Sequence, residues 1–320
     1  MPRVSKRLIY QRASWQLPTT TTLHTALVAA LKAVRESARA QPLSDDADTG
    51  KGTWRKLIRG LGRNNCAFGK LVQYTHGMKQ ETVKIRRAED DAPDGTTTAP
   101  DGEEFSEGPL YFCVDGDHVV VAQSLGLRVS QLEDYLNWLL REKSGVVIPE
   151  NYLSLESLPP DEARRILARS VPKSVTFSRP IQLERKNTAT ATKVYSTQAT
   201  LEAVESFMGV DDLHELLPAK ALESGRIKTS VTFSWNSRVG GGKPEEFLRG
   251  MGRFALRHMD EDPAAEVEIE TEAGKLSRRH LSMAESFSLE APDGVIAHGA
   301  INDVMLKYLA KLRQGNQIRG

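Results

Sequence analysis

Apolar residues along this chain recur with a period of 3.6 in some stretches and of two in others, and the switches between them predict a mixture of helices and strands. Lys6–Gln11 predicts a short strand. Residues 20–39 (TTTLHTALVAALKAVRESAR) set Leu23, Leu27, Ala30, Leu31 and Val34 on one stripe behind a threonine-rich start, the pattern of a capped amphipathic helix. A loop rich in Asp, Ser and Gly spans 41–52, after which Trp54–Arg63 reads as a short basic helix or turn ended by Gly60 and Gly62. Phe68–Tyr74 and Glu81–Arg87 follow as strands.

Past residue 107 the pattern sharpens. LYFCV, Asp115-Gly116-Asp117 and HVVVAQS form the clearest hairpin in the chain, with β-branched and aromatic residues on both sides of an Asp-Gly turn. Val129–Arg141 predicts a helix with Leu132, Leu136, Leu139 and Leu140 on its apolar side and Ser130 placed to cap it. Val146–Leu155 reads as a strand broken by Pro149, and Pro159-Pro160-Asp161 opens a helix through Ala168. The pentapeptide SVTFS occurs at 174–178 and again at 230–234, with helical patterns after each copy at Thr200–Met208 and Glu245–His258. This hints at two related strand-helix units. Glu266–Thr271 alternates and pairs naturally with Leu276–Leu289 around Ala273-Gly274. Ile301–Arg313 closes the pattern as a helix whose apolar face (Ile301, Val304, Met305, Tyr308, Leu309, Leu312) needs a partner. The expected fold is α+β, with mixed or antiparallel sheets and packed helices in two domains, 1–170 and 171–320.

Composition adds limits. Hydrophobic residues make up 39% and charged residues 27% of 320, a folding chain with a wet surface. No window reaches 18 uncharged apolar residues and the start lacks an apolar core, so the expectation is a cytoplasmic protein with neither membrane span nor secretory signal. Cys66 and Cys113 stand far apart without CxxC spacing, which predicts two buried thiols rather than a disulfide framework or zinc site. Charge is more telling: residues 1–87 carry 17 Lys and Arg against 5 Asp and Glu, whereas 88–107 carry none against 8. A basic excess on under a third of the chain is the footprint of a surface that meets a polyanion, and the acidic stretch reads as a mobile linker able to fold over it.

Catalytic patterns are weak. The seven histidines show no HxxxH or HExxH spacing, no GxSxG elbow is present, and no cofactor is expected. Gly240-Gly241-Gly242-Lys243 resembles a phosphate loop, but Ser237 and Pro244 stand where a Walker motif needs Gly and Ser/Thr. Its backbone N–H groups can still hold a phosphate oxygen beside Lys243. Arg249, Arg253 and Arg257 recur every four residues on the following helix, a stripe able to track a phosphodiester backbone. Trp54, Arg55, Lys56, Arg59 and Arg63 follow the same logic, with an aromatic that can stack on a base. Lys6, Arg7, Lys228 and Arg238 complete the set of candidate nucleic-acid contacts. A competing reading takes Asp161 with Glu184 and Lys186 as the loose PD…(D/E)xK format of a Mg²⁺-dependent nuclease.

From Gly108 to Leu158, GPLYFCVDGDHVVVAQSLGLRVSQLEDYLNWLL and the broken strand behind it resemble the RexA family, the exclusion proteins of lambda-type prophages. The order of elements is similar over about two thirds of the chain, while the acidic stretch 88–107 and the triple glycine at 240–242 depart from the family pattern. The resemblance implies a cytoplasmic homodimer that binds double-stranded DNA without sequence preference, acts in phage exclusion and works with a small RexB-like membrane protein. The dimer contact is expected in 171–225 or on the Ile301–Leu312 face.

Overall fold

The computed structural model describes residues 2–43, 52–59, 66–82, 95–124, 126–170, 172–180, 228–234, 248, 252 and 266–318. It is a mixed α+β protein whose described sheets are antiparallel. The chain divides into two compact units, 1–161 with 282–320, and 162–281.

The first unit is built on one eight-stranded sheet. Its strands are β1 (Arg3–Trp15), β2 (Ala40–Pro42), β3 (Thr53–Arg59), β4 (Ala67–Thr75), β7 (Leu110–Asp115), β8 (His118–Ala122), β9 (Leu153–Glu156) and β14 (Ala284–Glu290), ordered β14-β1-β8-β7-β4-β3-β2 with β9 also on β1. A separate ribbon pairs β5 (Gln80–Thr82) with β6 (Gly95–Thr97). The expected hairpin is present: Asp115 pairs with His118 around a two-residue turn in which Gly116 has φ 60°. That conformation favours glycine. The turn also seats α1 (Leu23–Ala33), because the Gly116 carbonyl accepts the His24 N–H at 2.9 Å and Asp117 Oδ1 accepts the Leu23 N–H at 2.8 Å. Two first-turn donors of the helix are thereby satisfied.

Strand alternation divides the core into two layers. One face of the sheet presents Ala13, Leu57, Leu71, Phe112, Val119 and Val121 to α1, to α2 (Val129–Asn137) and to the π-helical turn Trp138–Lys143 that prolongs it. The other presents Leu8, Tyr10, Phe68, Tyr111, Cys113, Val120 and Ala122 to α5 (His298–Gln314). The apolar face of α5 is therefore buried on its own sheet.

Several expectations change. Thr53–Arg59 is a strand, not a basic helix or turn: its whole length pairs with β4 and Trp54, Arg55 and Lys56 pair with β2 on the other side, and that ladder overrides the local charge pattern. Gln131, not Ser130, closes the start of α2, its Oε1 accepting the Arg128 N–H at 2.7 Å. The stretch 276–289 is split. Of that stretch only β13 (Gly274–Ser277) pairs with β12 (Glu266–Thr271); α4 (Arg278–Leu281) intervenes, and β14 joins β1. Residues 282–318, expected in the second domain, thus belong to the first unit. The acidic stretch is in part built in: Glu107 accepts from Gln73 Nε2 at 2.7 Å and from the Thr75 hydroxyl at 3.3 Å, while Glu104 lies 2.6 Å from His76 Nδ1.

The second unit contains α3 (Asp161–Arg169) from Glu162 onward and a four-stranded sheet ordered β11-β10-β12-β13, with β10 spanning Pro172–Pro180 and β11 Lys228–Ser234. Here the repeat finds its meaning. The two SVTFS copies are hydrogen-bonded neighbours, Ser174 opposite Ser234, Thr176 opposite Thr232 and Ser178 opposite Ser230. The Thr176 and Thr232 hydroxyls meet at 2.9 Å, as do those of Ser178 and Ser230. The two copies are thus cross-strand partners within one sheet. The helices expected at 200–208 and 245–258 lie outside the described residues apart from buried Leu248 and Gly252.

Candidate nucleic-acid interface

The described candidate cations fall on both faces of the first sheet. Lys6 is half-buried opposite Phe287 on the α5 side, whereas its neighbour Arg7 points to the opposite face. Arg55 shares the face of Leu57; it is 9% exposed and its Nε donates to Gln73 Oε1 at 3.2 Å. Burial lowers its guanidinium from the ordinary value, opposed by the charge of Asp134. A guanidinium so enclosed is a packing element, so Arg55 leaves the contact set. β1 and β3 are separated by three strands, about 19 Å at the usual strand spacing, so Lys6 and Lys56 belong to different parts of the surface. The described residues therefore do not form one continuous track.

Arg59 ends β3 opposite Gly69, and Lys228 begins β11 opposite Pro180, each described in its backbone alone. Arg63, Arg238, Lys243, Arg249, Arg253 and Arg257 lie outside the described residues. So do Glu184 and Lys186 of the nuclease format, while Asp161 opens α3 with its N–H directed to Gln317 Oε1 at 3.4 Å. Among the described residues no group of three His, Cys, Asp or Glu could hold a metal ion, and no helix is long and apolar enough to cross a membrane.

What the sheet does assemble is a smaller, mixed face on β3 and β4. Period-two alternation puts Trp54, Lys56 and Ile58 beside Tyr74, Val72 and Lys70, in opposed pairs Trp54–Tyr74, Lys56–Val72 and Ile58–Lys70. Directly opposed side chains stand about 5 Å apart at Cβ and diagonal ones about 7–8 Å, so Trp54 and Tyr74 adjoin Lys56, which in turn stands diagonal to Lys70. Trp54, Lys56, Lys70 and Tyr74 are half-buried. Among the described residues neither lysine joins an ion pair, whereas Arg3, Arg12, Lys275, Lys311 and Arg313 all do. Burial, then the charge of Glu104, raises the Tyr74 phenol and keeps it neutral.

Lys70 is also opposite Tyr111 on β7, and His298, the first residue of α5, meets Tyr111 edge-on with ring centroids 5.9 Å apart. Burial and then the charge of Lys70 lower the His298 imidazole below its ordinary value. A helix amino terminus, an imidazole and two lysines on a sheet that also offers aromatic rings can contact phosphate and base together. Lys70, Tyr74 and His298 are absent from the sequence-derived set. The alternation of Phe68, Lys70, Val72 and Tyr74 held the signal, masked by reading Trp54–Arg63 as a helix.

No family model matches this chain, and no curated protein matches it.

Proposed function

We propose that this chain is a non-enzymatic, sequence-tolerant double-stranded-DNA-binding protein that works as a homodimer, with phage exclusion alongside a small membrane protein as the setting the RexA resemblance suggests. The observation that carries the DNA reading is the pair Lys56 and Lys70, without carboxylate partners among the described residues, with Trp54 and Tyr74 beside Lys56 and Tyr111 opposite Lys70. Phosphate contacts of this kind position a protein without reading bases.

Fluorescence anisotropy with unrelated duplexes tests it. Affinity falls steeply between about 50 and 200 mM salt and is the same for each sequence. Lys56→Ala and Lys70→Ala each weaken binding uniformly and reduce the logarithmic salt slope by about one. Salt-insensitive binding, or none, overturns the reading, and Mg²⁺-dependent cleavage of the duplex would favour the nuclease instead.

The lowered His298 value gives a second expectation. Phosphate stabilises the imidazolium that burial and Lys70 disfavour, so binding takes up a proton and affinity rises as pH falls through the histidine range near 6.5. His298→Ala removes that rise in the same anisotropy series.

The homodimer gains support from the second unit. SVTFS already pairs antiparallel with its own copy, and among the described strands β11 stands last in the sheet order with Val231 50% exposed. A twofold axis at Thr232 would repeat the same ladder between protomers, Ser230 against Ser234 and Val231 against Phe233. Val231→Glu then yields a monomer by sedimentation velocity, with the far-UV spectrum retained; an unchanged dimer refutes this contact.

A further inference from the structure

Cys66 and Cys113, remote in sequence, meet in one corner of the first unit. β4 begins with Ala67 opposite Val114 and Phe68 opposite Cys113, so Cys66, immediately before it, shares the α5-side face with Cys113. Neither sulfur is in a disulfide, Cys113 is fully enclosed and Cys66 6% exposed, and the two side chains are hydrogen-bonded to each other. Arg313, from the last turn of α5, bonds Asp115 beside them. Two reduced sulfurs, a carboxylate and a guanidinium thus occupy the corner where β4, β7 and α5 converge.

We propose that Cys66 and Cys113 are a reversible dithiol–disulfide couple, a modification site for a small two-electron oxidant of the peroxide class. The surroundings divide the work between the sulfurs. The hydrogen bond with Cys113, helped by Arg313, holds the Cys66 thiol below the usual range despite burial and Asp115. The same bond, with burial, pushes Cys113 far above it. Cys66, the sulfur that retains some contact with solvent, is the nucleophile, and the fully enclosed Cys113 is the resolving partner. The Cys66 thiolate attacks one oxygen of hydrogen peroxide, the O–O bond breaks, and the departing hydroxide takes a proton to leave as water, with sulfenic acid on Cys66. The Cys113 sulfur then releases its proton and attacks the Cys66 sulfur; the S–O bond breaks and a second water leaves. Two thiols and one peroxide give one disulfide and two waters. Cys66 stands diagonal to Cys113 on the same face of the β4–β7 pair, so forming the bridge takes a local shift of the strand end at Cys66 while the Phe68–Cys113 pairing stays intact.

The test uses the full chain, exposed to hydrogen peroxide in native buffer, alkylated, digested and read by mass spectrometry. The expected result is a peptide linking Cys66 to Cys113, an intact monomer mass lower by two hydrogens, complete loss of both thiols when counted after unfolding, and their return with dithiothreitol. Cys113→Ser halts the reaction at a sulfenic acid on Cys66 that dimedone captures, whereas Cys66→Ser leaves Cys113 reduced. Two thiols persisting in the exposed wild type, sulfinic or sulfonic acid without the linked peptide, or a bridge between two chains overturns the proposal. The wild-type readout decides the matter even where a variant fails to fold.

Discussion

A chain ending at residue 170 does not fold, although it contains seven of the eight strands of the first sheet. What it lacks is β14 and α5. Ile301, Met305, Tyr308, Leu309 and Leu312 are buried against Leu8, Tyr10, Phe68, Cys113 and Val120, so the truncation leaves one whole face of the sheet in water. At about 1.5–3 kcal/mol for each large apolar side chain, the lost burial comes to about 7–15 kcal/mol. That is as large as the entire stability of an ordinary domain, about 5–15 kcal/mol. Urea denaturation followed by circular dichroism shows no cooperative transition for 1–170. Replacing 162–281 by a flexible linker of about 15 Gly and Ser residues, which spans about 20 Å, retains the transition. A cooperative 1–170 fragment would mean that α5 is dispensable to the core.

Gly69→Val is the single substitution with the largest expected cost. A Cβ built on Gly69 runs into the Phe112 ring at Cζ and lies 2.8 Å from Leu57 Cδ1. The Phe112 ring lies over β4 at the one position without a side chain, enclosed by Leu57 and the α1 layer. Neither neighbour is the loose end of a flexible chain, so the ring must leave its place or the strands must part. Overpacking of this kind costs about 1–3 kcal/mol for modest insertions, and valine adds three carbons, so about 3 kcal/mol is expected. The urea midpoint drops with little change in its slope. Gly69→Val with Phe112→Leu recovers part of the loss, because the shorter side chain vacates the contact; equal stability of the two variants would remove this explanation.

The sequence makes plain those elements whose local pattern and final packing agree. The Leu110–Ala122 hairpin, α1, α2 and α5 carry apolar positions at the period their layer requires, and the Asp-Gly turn is local chemistry. β3 is hidden because Arg55 is buried through a hydrogen bond to Gln73 on β4, a long-range partner that no window of β3 reveals. β14 is hidden for a related reason: AESFSLE alternates weakly, and its pairing with β1 spans nearly the whole chain. The basic-aromatic face was half legible. Trp54 and Lys56 were visible as candidates, whereas Lys70, Tyr74 and His298 join them only once β3 and β4 are aligned.

Because β14 is supplied by residues 284–290, the amino-terminal strand β1 leaves the ribosome long before its neighbour exists. During synthesis one border of the nascent sheet is an open template for pairing with other chains. Arg3, Lys6 and Arg7 stand along that border, and their mutual repulsion between nascent copies guards it until translation delivers the strand that closes it.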